Sequence, residues 1–198
     1  ADAIAASMRA KGDCSQILID ITAFTHETLL IILQLIRINF PNASTTCVYA
    51  NAKDYSCTNE RDEKWLSKGI GDVRSILGYP GDISPDRKKH LIVIVGYEVE
   101  RALAAINAIE PHSLALGYGR SASATTEKDK DANEHFTGLV KQMAFSFGHV
   151  SQFEVPCNNP CMTAKAIYNE VGMHPQENIL LLPMNNKITT IGAALVAQ

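Results

Sequence analysis

Lys187 sits in the run Asn185-Asn186-Lys187-Ile188-Thr189-Thr190, just after a greasy segment closed by Pro183. Such a turn offers amide donors, one cation, hydroxyls and the unpaired N–H groups of a helix start. All of these suit a phosphate or the polar edge of a nucleobase, with Lys187 acting as a point charge. The plain alternative is a strand-to-helix loop capped by Thr189.

Three more runs have the same character. "DITAFTHE" places Asp20, Thr22 and Thr25 ahead of a greasy helix. Thr25 reads as its N-cap, and the hydroxyls with the free N–H groups could meet an anion. In "GYEVER", Gly96 permits close backbone approach, Tyr97 can stack on a base, and Glu98 and Glu100 complement a helix N-terminus. In "GYGRSAS", Gly117 and Gly119 flank Tyr118 ahead of Arg120. Ala122 stands where a dinucleotide fingerprint needs its third glycine, so this turn offers one tyrosine and one arginine to an anion instead. Neither a P-loop nor a G-x-S-x-G elbow occurs.

Cys157 and Cys161 have C-x-x-x-C spacing, with His149 and His174 as the nearest histidines. Zinc sites favour C-x-x-C and need further ligands in a recognisable motif. We expect no metal and no cofactor, reduced thiols, and thiol chemistry at Cys157 only as a minor alternative. His90 and His112 fall at element ends and form no triad.

These residues need elements to hold them. Strand patterns cover 16–20, 45–50, 91–95, 113–117, 151–155 and 178–182. Several are continuously apolar, as strands buried on both faces are. Helical periodicity covers 27–38, 98–109, 133–147, 163–171 and 189–197. The run 27–38 is apolar nearly all round, which predicts a central helix. Alternation predicts an α/β, Rossmann-like three-layer sandwich: a mainly parallel sheet of about six strands with helices on both faces. Every run described above follows a strand, where ligands of open α/β sheets bind. The polar-ended connection 51–89 reads as an insertion in a single domain spanning 1–198. The polar run 120–132 reads as a surface loop.

The chain has 198 residues, 46% hydrophobic and 20% charged, with a net charge of −3 and five cysteines. That size supports one core without staples. The charge excludes a broad grip on long duplex nucleic acid. No apolar run is long enough to span a bilayer. The odd cysteine count and the lack of a secretory signal predict a cytoplasmic protein. A start without Met suggests a fragment of a longer protein, with further domains as partners.

The closing segment "LLLPMNNKITTIGAALVA" and the loop "DITAFT" resemble the CARF (CRISPR-associated Rossmann fold) sensor domains. There a late strand opens into a turn whose lysine and hydroxyl contact a cyclic oligonucleotide phosphate. Here Met184, Asn185 and Asn186 replace the glycines of that turn. The resemblance implies a homodimer, with Thr22, Thr25, Asn185, Lys187 and Thr189 near a nucleotide-type ligand. It implies a sensor or regulatory function in antiviral defence. The alternatives are an enzyme acting on a nucleotide or related phosphorylated small molecule, with Asp20 or Glu98 as acid/base, and a structural assembly module without a ligand.

Overall fold

The computed structural model describes residues 2–10, 12, 14–50, 72–119, 135, 138–142 and 149–198. Arg120, the run 120–132, residues 51–71 of the insertion and most of the expected helix 133–147 lie outside the described residues.

The elements run α1 (Asp2–Arg9), β1 (Gln16–Asp20), α2 (His26–Asn39), β2 (Ser44–Val48), β3 (Lys89–Ile94), α3 (Val99–Ile109), β4 (Ser113–Gly119), β5 (His149–Val155), α4 (Pro160–Gly172), β6 (Asn178–Pro183) and α5 (Lys187–Val196). All six expected strands form, and all their pairings are parallel. They do not form one sheet. β5-β4-β3-β6 make a four-stranded sheet, and β1-β2 make a separate pair. The α/β class stands, but the six-stranded sandwich is replaced by this division. Alternating strand and helix patterns identify the segments; they do not decide which edges pair.

β3 is the spine of the larger sheet. Leu91, Val93 and Val95 face one layer, with Ala102 and Ile106 of α3 and with Val140. Ile92 and Ile94 face the other, with Ile167 of α4 and Ala193 of α5. Five consecutive residues from Leu91 to Val95 are buried, as expected of a strand covered on both sides. β1 behaves otherwise: its exposure alternates, and Leu18 is 73% exposed. β2 is mostly exposed.

Two helices also differ from their patterns. α2 buries Leu29, Leu30, Gln34 and Ile36 and leaves most of its other residues partly buried, with only Arg37 and Ile38 exposed, so it is not fully covered all round. In α5 the buried face is Thr189, Thr190, Gly192, Ala193 and Ala194, while Leu195 is exposed. A Cβ on Gly192 would lie 2.5 Å from Thr163 Cγ2 and 2.9 Å from Pro160 O, so small residues let α5 lie close against α4. The other flank of α5 meets α2.

At the amino end of the sheet, the Asn178 side chain accepts from Ser84 N (3.0 Å) and donates to Ser84 O (2.8 Å) and Arg87 O (3.0 Å). It pins the connection entering β3.

Candidate functional site

β3 and β6 are neighbours, but α3 and α5, which follow them, lie on opposite faces. That is a topological switch point, where the carboxyl ends of an open sheet leave a crevice. Gly96 sits at its floor. A Cβ there would stand 2.0 Å from the Met184 carbonyl oxygen, so only glycine lets the two strand ends approach this closely. Met184 N donates to Ile94 O (3.0 Å), and Asn185 Nδ2 donates to Val95 O (2.6 Å). Asn185 Oδ1 accepts from Asn186 N (2.9 Å). Asn185 therefore rivets the turn to β3.

The N-cap of α5 is Asn186, whose Oδ1 accepts from Thr189 N (2.9 Å). The cap expected at Thr189 belongs three residues earlier, because extended backbone at Asn186 lets its short amide reach the helix's free N–H. Asn186 Nδ2 donates to Cys157 O (2.9 Å), joining this turn to the one after β5. Thr189 is fully buried and gives its hydroxyl to Asn186 O (2.8 Å). These side chains build the turn, and Lys187, half-buried at the first position of α5, is what the turn presents. Its ammonium meets no carboxylate among the described residues.

His26, the first residue of α2, reaches the same place. Its Nδ1 lies 2.5 Å from Thr190 Oγ1. Burial first, then the charges of Lys187 and Arg101, hold His26 well below its usual range, at about 4, with Glu98 opposing. Arg101 pairs with Glu98 (3.1 Å), which is the N-cap residue of α3 but makes no side-chain cap bond. The starts of α2, α3 and α5 thus gather near one neutral imidazole and two cations. Helix starts expose unpaired N–H groups and a positive dipole end, and both favour an anion. Glu98 was legible as a strand-end residue. His26 and Arg101 were not singled out as site residues, although His26 directly follows the Thr25 cap and Arg101 stands one turn beyond Glu98.

The remaining expected residues are more scattered. Thr25 caps α2, accepting from Thr28 N (3.1 Å). Asp20 is exposed; the Thr22 hydroxyl first, and then the Thr22 N–H that it accepts at 2.9 Å, pull its carboxyl below the ordinary range. Thr22 Oγ1 accepts from Ala50 N (3.0 Å), tying the β1 and β2 ends together. Tyr97 is half-buried beside Gly96. Gly117 and Tyr118 lie inside β4, not beyond it: the strand runs to Gly119, with Tyr118 opposite Glu154 on β5. Burial pushes the Cys157 thiol up to about 12, the opposite of an activated nucleophile.

No family model, curated protein or solved structure matches the chain.

Proposed function

We propose that the chain is a sensor or regulatory domain that binds a nucleotide or cyclic oligonucleotide at the carboxyl ends of β3 and β6. The observation carrying this reading is Lys187: a half-buried cation at the start of α5, at a switch point, with Arg101 near enough to act with it on His26. A phosphate there would meet two positive charges and the free N–H groups of a helix start. Tyr97, next to Gly96, carries an aromatic ring of the kind that stacks on a base. In this reading the chain acts as a homodimer, coupled to further domains of a longer protein in antiviral defence.

Calorimetric titration with mono-, di- and cyclic oligonucleotides tests it. At least one nucleotide should bind, and Lys187→Ala and Arg101→Ala should each weaken it about tenfold or more, as loss of a charge-assisted contact does. Unchanged affinity in Lys187→Ala would remove the site, and silence across the panel would remove the function.

His26 favours one rival. An imidazole held neutral can accept a proton from a substrate hydroxyl or water. An enzyme acting on a nucleotide would show turnover that His26→Gln abolishes, and intact nucleotides after long incubation would exclude it.

A further inference from the structure

The opposite end of the same sheet holds a second polar cluster, unrelated to the crevice. His90 on β3 is 1% exposed, and Glu170 on α4 is 3% exposed. His174 follows α4, and its ring stacks on that of His90, with centroids 3.6 Å apart and planes 13° from parallel. Glu177 immediately precedes β6. His90, His174 and Glu177 each bring a ligand-type atom within 4.8 Å of the others.

The hydrogen bonds set where the protons sit. Ser113 Oγ donates to Glu177 Oε2 (2.9 Å), because a carboxylate only accepts. A hydroxyl has one proton, so the 2.8 Å contact between Ser113 Oγ and His90 Nδ1 makes His90 Nδ1 the donor. His174 Nδ1 stands 3.2 Å from the same Glu177 oxygen, which also favours a proton on Nδ1. Both rings then turn a bare Nε2 lone pair the other way. His90 Nε2 lies 3.7 Å and His174 Nε2 3.6 Å from Glu170 Oε1. His90 Nε2 is sealed from solvent and has no hydrogen-bond partner among the described residues. Among the described residues only Ser151 Oγ, 3.4 Å from Glu170 Oε1, donates into this group of three acceptor atoms, an arrangement that costs free energy unless a cation joins it.

We propose that His90 Nε2, His174 Nε2 and Glu170 Oε1 bind a divalent transition-metal ion of the zinc type. Imidazole and carboxylate suit such an ion. The two imidazole–carboxylate separations, 3.7 and 3.6 Å, are close to the roughly 3.3 Å between ligand atoms of a tetrahedral ion with bonds of about 2.0–2.1 Å, and because the two rings stack, the partly exposed His174 ring must turn to aim its Nε2 lone pair at an ion lying in the plane of His90. Glu177 is the positioning carboxylate: it holds His174 directly and His90 through Ser113, as outer-shell carboxylates hold metal-bound imidazoles. Three protein ligands leave a fourth position for water.

The test is titration of chelator-treated protein at pH 7.5 with Zn²⁺ by calorimetry and with Co²⁺ by visible absorption. One ion should bind per chain at about micromolar affinity or tighter, with tetrahedral cobalt bands. His174→Ala should weaken binding about 100-fold or more. Glu177→Gln should weaken it about 10- to 100-fold. The Cys157→Ser/Cys161→Ser double variant and Lys187→Ala should bind as the parent does. His174 is 22% exposed, so its variant tests the site even if Glu170→Gln fails to fold. Absence of binding, thiolate-to-cobalt absorption, or unchanged affinity in His174→Ala would overturn the proposal. The first of these would mean that a proton shared among His90, His174, Glu170 and Glu177 holds the cluster together.

Discussion

Replacing Gly96 with alanine tests both the fold and the crevice. The added Cβ would lie 2.0 Å from Met184 O, 2.9 Å from Met184 C and 3.2 Å from Asn185 Cα. All three are backbone, so no side chain can swing aside. To restore a tolerable separation the β6 end must recede by about 1 Å. That displacement strains the Met184 N to Ile94 O bond (3.0 Å) and the Asn185 Nδ2 to Val95 O bond (2.6 Å). Each contributes on the order of 1 kcal/mol net, and overpacking strain adds a similar or larger amount. We expect Gly96→Ala to destabilise the chain by about 2–4 kcal/mol, measured by urea unfolding at constant slope. Gly172→Ala is the control, since a Cβ there meets nothing within 4 Å. It should be neutral or mildly stabilising. A Gly96→Ala cost below about 1 kcal/mol would refute the close approach of β3 and β6 from which the crevice is built.

Other substitutions follow from the same contacts. Asn178→Asp keeps the acceptor for Ser84 N but removes the donors to Ser84 O and Arg87 O, so it should cost about 2–4 kcal/mol in thermal or chemical unfolding. Thr163→Val keeps the shape of a fully buried side chain but strips Pro156 O of its 2.6 Å hydroxyl donor, for about 1–3 kcal/mol by the same assay. Glu110, the α3 C-cap, has φ 50°, a left-handed conformation that glycine adopts freely. Glu110→Gly should therefore stabilise slightly or cost nothing, where a glycine in a helix interior would cost about 1 kcal/mol. His26 is held at about 4 against an ordinary 6.5. Between those values the unfolded chain binds a proton that the folded chain refuses, so stability is full above pH 6.5 and falls as pH drops toward 4. The loss reaches about 3 kcal/mol at most, and His26→Gln should flatten that part of the unfolding-versus-pH curve.

Local signals read well from the chain because their causes are local. The Thr25 cap needs only a short hydroxyl ahead of an apolar run, and it forms as expected. The continuous burial of β3 follows from its unbroken apolar run. What failed depended on partners. β1 is as greasy as β6, yet among the described residues it pairs only with β2 and leaves Leu18 in solvent. Nothing in five residues says which edge will find a neighbour. In α5 the periodicity over 189–197 does not mark the buried face: the nearness of α4 selects Gly192, Ala193 and Ala194, while the larger Leu195 is exposed.

The two polar clusters show the same division. At the carboxyl end, the runs after β3 and β6 meet in one crevice, because parallel strands bring such runs to one side of a sheet. The structure then separated the residues that build the turn, Asn185, Asn186 and Thr189, from the ones it presents. At the amino end the sequence sets His174 beside the cysteines and His90 at an element end, and no motif joins them to each other or to Ser113, Glu170 and Glu177. Their meeting depends on registers: His90 opposes Ser113 on β4 and Ile179 on β6, which brings the residue two before Ile179, Glu177, to the same end. α4 ends where Glu170 and His174, one helical turn apart, can reach across to β3. A polar group buried by such long-range pairing must be matched by another polar group, a proton or a metal ion, since the interior offers no water to do it. His90 Nε2 lacks the first among the described residues, and burial together with the neighbouring His174 disfavours the second. The metal titration therefore bears on the fold as well: a bound ion would clamp α4 to the start of β3, and its removal by a chelator should lower the unfolding temperature of the chain, an effect that His174→Ala should abolish.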